Sequence, residues 1–324
     1  MKAVVRTQYG KFEDILFIKE VEKPTPKDNE ILVKVYATTI NRTDCAVTSG
    51  YPSIIRLFTG LPTPKQPIVG TDFAGVVEAI GKNVKLFQTG DKVFGFEDTG
   101  IASQAEYMTI DENKPIAIIP ENISFEQAAA SLEGAHYAIN FFNKVKLNPS
   151  HKVLINGASG AIGSAATQFL KAQGLYVAVT CPTNTIEQVR SWGVDKIMDY
   201  TQEDFTKDNQ IYDFVFDAVG KSSFGKCKPL LTPKGVYISS ELGKNSQNPF
   251  LALITPFLGG KKVIFPFPSN IKASIAYISD MLKQGKFKPL IDRAYSLDQV
   301  VEAYQYVHSG KKIGNVILSI HPAI

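Results

Sequence analysis

The stretch Val153-Leu154-Ile155-Asn156-Gly157-Ala158-Ser159-Gly160-Ala161-Ile162-Gly163 decides the fold. An apolar run breaks into three glycines and resumes as a helix, which predicts strand, tight turn and helix in succession. Glycines let the backbone turn sharply and approach a pyrophosphate, while the unpaired N–H groups and dipole at a helix start attract the anion. The expected ligand is a dinucleotide, held by Ser159, Gly160, Ala161 and Ile162. The spacing departs from G-x-G-x-x-G because Ala158 and Ser159 separate the first two glycines. Taken alone, the turn also fits a Gly-rich strand-to-helix connection in another α/β protein.

The segments after the turn favour the dinucleotide. Helical spacing from Ala161 to Gln173 stops at Gly174, and Leu175 to Thr180 is a short β-prone run, completing one βαβ unit. Further apolar runs at Tyr212–Asp217, Gly235–Ser239 and Lys262–Pro266 are separated by helix-length segments. Alternation of this kind predicts a doubly wound parallel sheet, an α/β architecture.

The 324 residues suit two domains. A net charge of +4, from 35 basic and 31 acidic residues without a basic block, is too diffuse to predict a nucleic-acid or membrane partner. Cys45, Cys181 and Cys227 form no C-x-x-C pair, so neither a disulfide framework nor a zinc cluster is expected and a reducing compartment fits. The chain opens into Lys2-Ala3-Val4-Val5-Arg6 without an apolar signal core, and no run of about 18 apolar residues exists to span a bilayer. The expected location is cytoplasmic.

Before residue 120 the texture is β-rich: Ile31–Ile40, Phe73–Ile80, Asp91–Phe96 and Gln104–Ile110 are short runs divided by turn residues. Ser124 and Gln127 form a capping-box pattern opening a helix toward Phe142. A helix is predicted over Ile271–Gln284, another from Ser296 with Gln299 as cap partner, and a last strand, Ile313–Ile320, returning to the first domain. The expected boundaries are 1–124 and 269–324 for the β-rich domain, and 125–268 for the dinucleotide-binding domain.

This organisation resembles the medium-chain dehydrogenase/reductase superfamily, specifically its zinc-independent quinone oxidoreductase branch, similar to zeta-crystallin. The resemblance is carried by Ile40-Asn41-Arg42-Thr43-Asp44, Gly70-Thr71-Asp72-Phe73-Ala74-Gly75, Gly90-Asp91-Lys92-Val93-Phe94-Gly95, the glycine turn, Asp199-Tyr200, Asp217-Ala218-Val219-Gly220 and Gly314-Asn315-Val316-Ile317-Leu318. It implies a GroES-like N-terminal domain, a Rossmann domain, and a nicotinamide between them, with Val219, Gly220 and Asn315 among the cofactor contacts. It also implies a homodimer, for which the β-prone edge Val263–Phe267 is the expected pairing surface.

Zinc-dependent relatives place Cys where this chain has Asn41, and His-Glu where it has Thr71-Asp72. A catalytic zinc needs soft or imidazole ligands with one open position, so no metal is expected. Hydride transfer from a nicotinamide to a quinone or an α,β-unsaturated carbonyl then fits best, with protein groups stabilising charge that develops on oxygen. Asn41 and Tyr51 fall on the segment resembling the family's substrate wall; a turn-capping amide and a surface tyrosine are the plainer roles. His136 occupies a helix position where the family usually has threonine, and can either protonate an enolate or hydrogen-bond the cofactor. Enoyl-thioester reduction, or nicotinamide binding with a structural role, are the alternative functions.

Cofactor choice turns on the end of the second strand, Thr180-Cys181-Pro182-Thr183-Asn184, where an NAD enzyme usually presents an acid. None stands there, so NADPH is expected over NADH, with Thr180, Thr183, Asn184 and Tyr200 near the 2′-phosphate and Arg190 or Lys196 as substitute basic residues.

Overall fold

β-branched and aromatic residues concentrated in short runs, several closed by Gly, Pro or Asn, become strands because one or both faces can be buried. The computed structural model describes residues 1–322, so Ala323 and Ile324 of the expected 269–324 segment lie outside the described residues. In chain order the strands are β1 (Lys2–Val5), β2 (Phe17–Glu20), β3 (Glu30–Ile40), β4 (Asp72–Ile80), β5 (Lys92–Phe96), β6 (Tyr107–Asp111), β7 (Ile116–Ile118), β8 (Lys152–Asn156), β9 (Tyr176–Cys181), β10 (Lys196–Asp199), β11 (Tyr212–Asp217), β12 (Leu231–Ser239), β13 (Lys262–Ile264), β14 (Ile291–Ser296) and β15 (Asn315–Ser319). The chain divides into one unit of Met1–Glu133, Ile271–Gly285 and Ile291–Ile324, and a second of Gly134–Asn270 and Lys286–Leu290.

In the first unit a seven-stranded sheet runs β14-β15-β3-β4-β5-β7, with β6 also paired to β3, and β1-β2 forms a separate ribbon. Ile31, Val33 and Val35 of β3 share a core with Phe73, Val77, Val93 and Met108. The C-terminal strand β15 joins antiparallel to β3, with Ile317 opposite Thr39. Helix Val300–His308 buries Val300, Ala303, Tyr304 and Val307, the i, i+3, i+4, i+7 stripe of an amphipathic helix, against Ile40, Cys45 and Val316.

The capping box at Ser124 is present, with the Gln127 N–H donating to Ser124 Oγ at 3.2 Å. Its helix is shorter than the expected run to Phe142. It ends at Ala130, where the Ser131 hydroxyl donates to the Ala128 carbonyl at 2.7 Å, and a separate helix begins at Glu133. Helix Phe125–Ala130 packs on β3, β4 and β15, with Phe125 stacked on Tyr36 at 4.5 Å, and lies in the first unit. Helix Ile271–Lys283 likewise packs on β7.

The second unit is a six-stranded parallel sheet ordered β10-β9-β8-β11-β12-β13. Leu154, Ala178, Val215, Tyr237 and Val263, one from each of five adjacent strands, share a core. β8 lies between β9 and β11, so the strand order reverses beside it. The carboxyl ends of β8 and β11 therefore form the switch point at which open α/β sheets bind ligands. β13 is shorter than expected, ending at Ile264, and its outer side is a sheet edge.

Candidate functional site

At the carboxyl end of β8 the three glycines have different tasks. Gly157 has φ +91°, and a Cβ there would fall 2.4 Å from Val219 Cγ1. A Cβ on Gly163 would fall 2.1 Å from the Gly157 carbonyl oxygen, so that glycine lets helix Ala161–Ala172 approach the turn. Gly160 has an ordinary φ of −82°, and the nearest atoms to a Cβ are the Gly157 oxygen at 3.5 Å and Val219 Cγ1 at 3.9 Å. Nothing in the protein forces glycine at 160. What its missing side chain leaves open is the space over the helix N-terminus, which has no side-chain cap. Bare N–H groups at Ala161 and Ile162 beside a cleared approach fit a pyrophosphate. The turn residues Ser159 and Gly160 are half-buried.

Buried polar groups brace the turn. The Gly157 N–H donates to Thr180 Oγ1 at 2.9 Å, and the Thr180 hydroxyl donates to Asn156 Oδ1 at 2.8 Å. Thr180 is fully buried, so it positions the turn and is not available to the expected 2′-phosphate. Asn156 Nδ2 donates to Asp217 Oδ1 at 2.9 Å, and Asp217 also accepts from the Tyr237 hydroxyl at 2.7 Å and the Gly220 N–H at 3.0 Å. Asp217 thus ties the end of β11, with Val219 and Gly220 behind it, to the end of β8. Asn156 lies inside the decisive turn but has no assigned task in the sequence, and only the strand order reveals it.

Just beyond β9, Thr183 and Asn184 are exposed, as is Tyr200 just beyond β10. An acid does reach this place, from the neighbouring strand: β10 pairs in parallel with β9, and Asp199 is opposite Cys181. The Thr183 hydroxyl donates to Asp199 Oδ2 at 2.5 Å. The two candidate substitute cations are engaged elsewhere, Arg190 with Glu187 and Lys196 with Asp208 at 2.6 Å.

In the first unit Asn41 caps helix Arg42–Ser49 through a capping box, its Oδ1 accepting from the Asp44 N–H at 2.7 Å. Its Nδ2 donates to Thr71 Oγ1 at 2.9 Å and approaches Asp72 Oδ2 at 3.4 Å. Asn41 is buried with both ends of its amide bonded inside the unit, the turn-capping arrangement that stood beside the acceptor-facing one. Beside it are two buried carboxyls. Asp72 accepts from the Thr39 N–H at 2.9 Å and the Thr39 hydroxyl at 2.8 Å. Burial pushes Asp72 up to about 7, against the Thr39 hydrogen bonds and with help from the Glu133 charge. Asp44 is raised well above the carboxylate range, by burial first and then by Asp72, and its Oδ1 has no hydrogen-bond partner. Burial at this depth favours the protonated form of both carboxyls, and Asp72 titrates near neutrality. Among the described residues no three His, Cys, Asp or Glu side chains converge as a metal cluster.

Tyr51 is 75% exposed, immediately after helix Arg42–Ser49 and its C-cap Gly50. His136, in helix Glu133–Phe142 of the second unit, is buried, with Asn140 Nδ2 3.3 Å from Nε2 and donating to the His136 carbonyl at 2.9 Å. Burial lowers its pKa to about 4, so the imidazole is neutral at physiological pH and holds no readily released proton. Asn315 is buried at the start of β15.

Two family models match: an alcohol dehydrogenase GroES-like domain over residues 27–121 and a zinc-binding dehydrogenase over residues 192–318. A chloroplastic quinone-oxidoreductase homolog from Spinacia oleracea is 30% identical over 332 residues, covering 98% of this chain and 98% of that protein. A chloroplastic NADPH-dependent alkenal/one oxidoreductase from Arabidopsis thaliana is 29% identical, covering 98% of this chain and 79% of that protein. The quinone oxidoreductase structure from Coxiella burnetii superposes with a TM-score of 0.84 at 23% identity, covering 99% of both chains, and shares the fold. With its GroES-like sheet, its six-stranded parallel sheet and a relative 30% identical over 98% of both chains, the chain belongs to the medium-chain dehydrogenase/reductase superfamily, in the quinone oxidoreductase branch.

Proposed function

We propose that this chain transfers hydride from NADPH to a quinone or an α,β-unsaturated carbonyl compound without a metal. The observation that carries the reading is the cleared approach at Gly160 over an uncapped helix N-terminus at the sheet's switch point. When bound there, the dinucleotide supplies the hydride. Asn156, Thr180 and Asp217 hold the turn in the shape that receives the pyrophosphate, and Val219 and Gly220 flank it. NADPH as donor is supported by the NADPH dependence that the Arabidopsis relative carries in its name and by the absence of an acid within 180–184 itself, the carboxylate beside Thr183 being Asp199 of the next strand.

Metal-free chemistry is supported by Asn41 and Thr71, which are hydrogen-bonded to one another where zinc-dependent relatives have ligands. An acceptor conjugated enough to take hydride without a Lewis acid needs only orientation and relief of charge on its oxygen. The exposed Tyr51 phenol suits that role in the first unit. His136, neutral through burial, suits hydrogen bonding to the nicotinamide portion rather than proton delivery.

Homodimer formation through β13 is part of this reading. The strand is a sheet edge, and Phe250, Leu253, Phe257, Leu258 and Phe267 in the surrounding segments are exposed. No helix among the described residues is long and apolar enough to cross a membrane, and the three cysteines are unpaired, which fits a cytoplasmic location. Oxidation of NADPH measured against a panel of quinones, enones and enoyl thioesters tests the proposal. Turnover of quinones or enones is expected. Turnover of enoyl thioesters alone would move the assignment to that class, and binding without any turnover would favour a structural role.

A further inference from the structure

The parallel register of β9 and β10 brings residues 182–184 and 199–201 out at the same carboxyl end of the sheet. This is the end where the glycine turn is anchored, since the Ala158 N–H donates to the Thr180 carbonyl at 2.9 Å. Three side chains converge there. Asp199 Oδ2 accepts from the Thr183 hydroxyl at 2.5 Å, while Asp199 Oδ1 accepts from the Thr201 N–H at 2.9 Å and the Thr201 hydroxyl at 2.6 Å. Thr183 Oγ1 and Thr201 Oγ1 are 2.9 Å apart. These donors lower the Asp199 pKa, so the group is an anion throughout the physiological range.

The consequence for a dinucleotide is asymmetric. A 2′-phosphate reaching Thr183 meets a hydroxyl already committed as a donor and a carboxylate directly behind it. A ribose 2′-hydroxyl is itself a donor, which a carboxylate accepts. Arg190 and Lys196 do not offset the repulsion, because each is paired with its own carboxylate. We infer that Asp199 sets the discrimination between phosphorylated and unphosphorylated dinucleotide, acting against the 2′-phosphate and holding down whatever preference for NADPH the rest of the site provides. The inference rests on the dinucleotide reading above.

The test is Asp199→Asn, which keeps an acceptor for the Thr201 N–H and removes the charge. NADPH and NADH are titrated into wild type and variant at low salt, following nicotinamide fluorescence. A carboxylate several ångströms from a phosphate in a solvated site predicts that the ratio of the NADH to the NADPH dissociation constant rises about tenfold. The change comes from tighter NADPH binding, and Asp199→Ala moves the ratio the same way. The rise shrinks as salt is added. If wild type binds both dinucleotides and the ratio moves less than about twofold in both variants, the inference fails while the dinucleotide site stands. If wild type binds neither, the site and the inference fail together.

Discussion

Raising the pH from about 5 to about 8 will loosen the first unit, and Asp72→Asn will remove much of that loss. Asp72 is fully buried, and burial carries its carboxyl up to about 7. In the unfolded chain the same group titrates near 4. A folded-state value above the unfolded one gives a contribution that is complete below about pH 4 and is lost as the pH rises through about 7. A displacement from about 4 to about 7 corresponds to at most ~4 kcal/mol, of which about 2–3 kcal/mol falls between pH 5 and pH 8. Asp44, raised in the same direction, steepens the profile. The assay is amide exchange on peptides covering β3 and β4, corrected for the intrinsic pH dependence of exchange. Trp192, the lone tryptophan, lies in the second unit and reports on that unit separately. Protection in β3 and β4 that is constant or rises over this range refutes the reasoning, as does an Asp72→Asn variant as pH-sensitive as wild type.

Gly160→Val will leave circular dichroism and melting close to wild type, because a Cβ has room there, yet calorimetry will detect no dinucleotide binding. Gly163→Ala, whose Cβ would press on the Gly157 carbonyl, will lower the melting temperature instead. Elemental analysis of the purified protein will find no stoichiometric zinc, and activity will survive chelation; one tightly held zinc per chain would contradict both. Sedimentation at micromolar concentration will give a dimer, and Phe257→Asp combined with Leu253→Asp, on exposed side chains, will shift it toward monomer. His136→Asn will weaken nicotinamide affinity but cost far less than the ~10²-fold expected for a lost proton donor.

The second unit is the more legible in sequence because a parallel sheet buries whole strands and so writes them as uninterrupted apolar runs. β11 falls on Tyr212–Asp217 as expected, and helix Ala161–Ala172 ends one residue early, before its C-cap Gln173. The helix beginning at Phe125 is shorter than its sequence suggests because the break at Ser131 depends on a side-chain bond to the Ala128 carbonyl, which apolar periodicity does not encode. The glycine turn is readable because one contiguous segment builds it. Asn41 is ambiguous in sequence because a helix-capping amide and an acceptor-facing amide are the same residue type in the same place along the chain. Asp199 is visible as part of a motif, but its position beside Thr183 depends on the pairing of β9 with β10, a relation between distant segments.

The central claim, direct hydride transfer to a conjugated acceptor, is tested most directly with NADPH carrying deuterium at both nicotinamide C4 positions and an α,β-unsaturated ketone, with the product analysed by mass spectrometry. The account predicts one deuterium on the product's β-carbon and a primary isotope effect on the single-turnover rate, with a primary effect again when a quinone replaces the ketone. A folded, dinucleotide-binding protein that leaves both acceptors unreduced, or yields reduced ketone without deuterium, would contradict it.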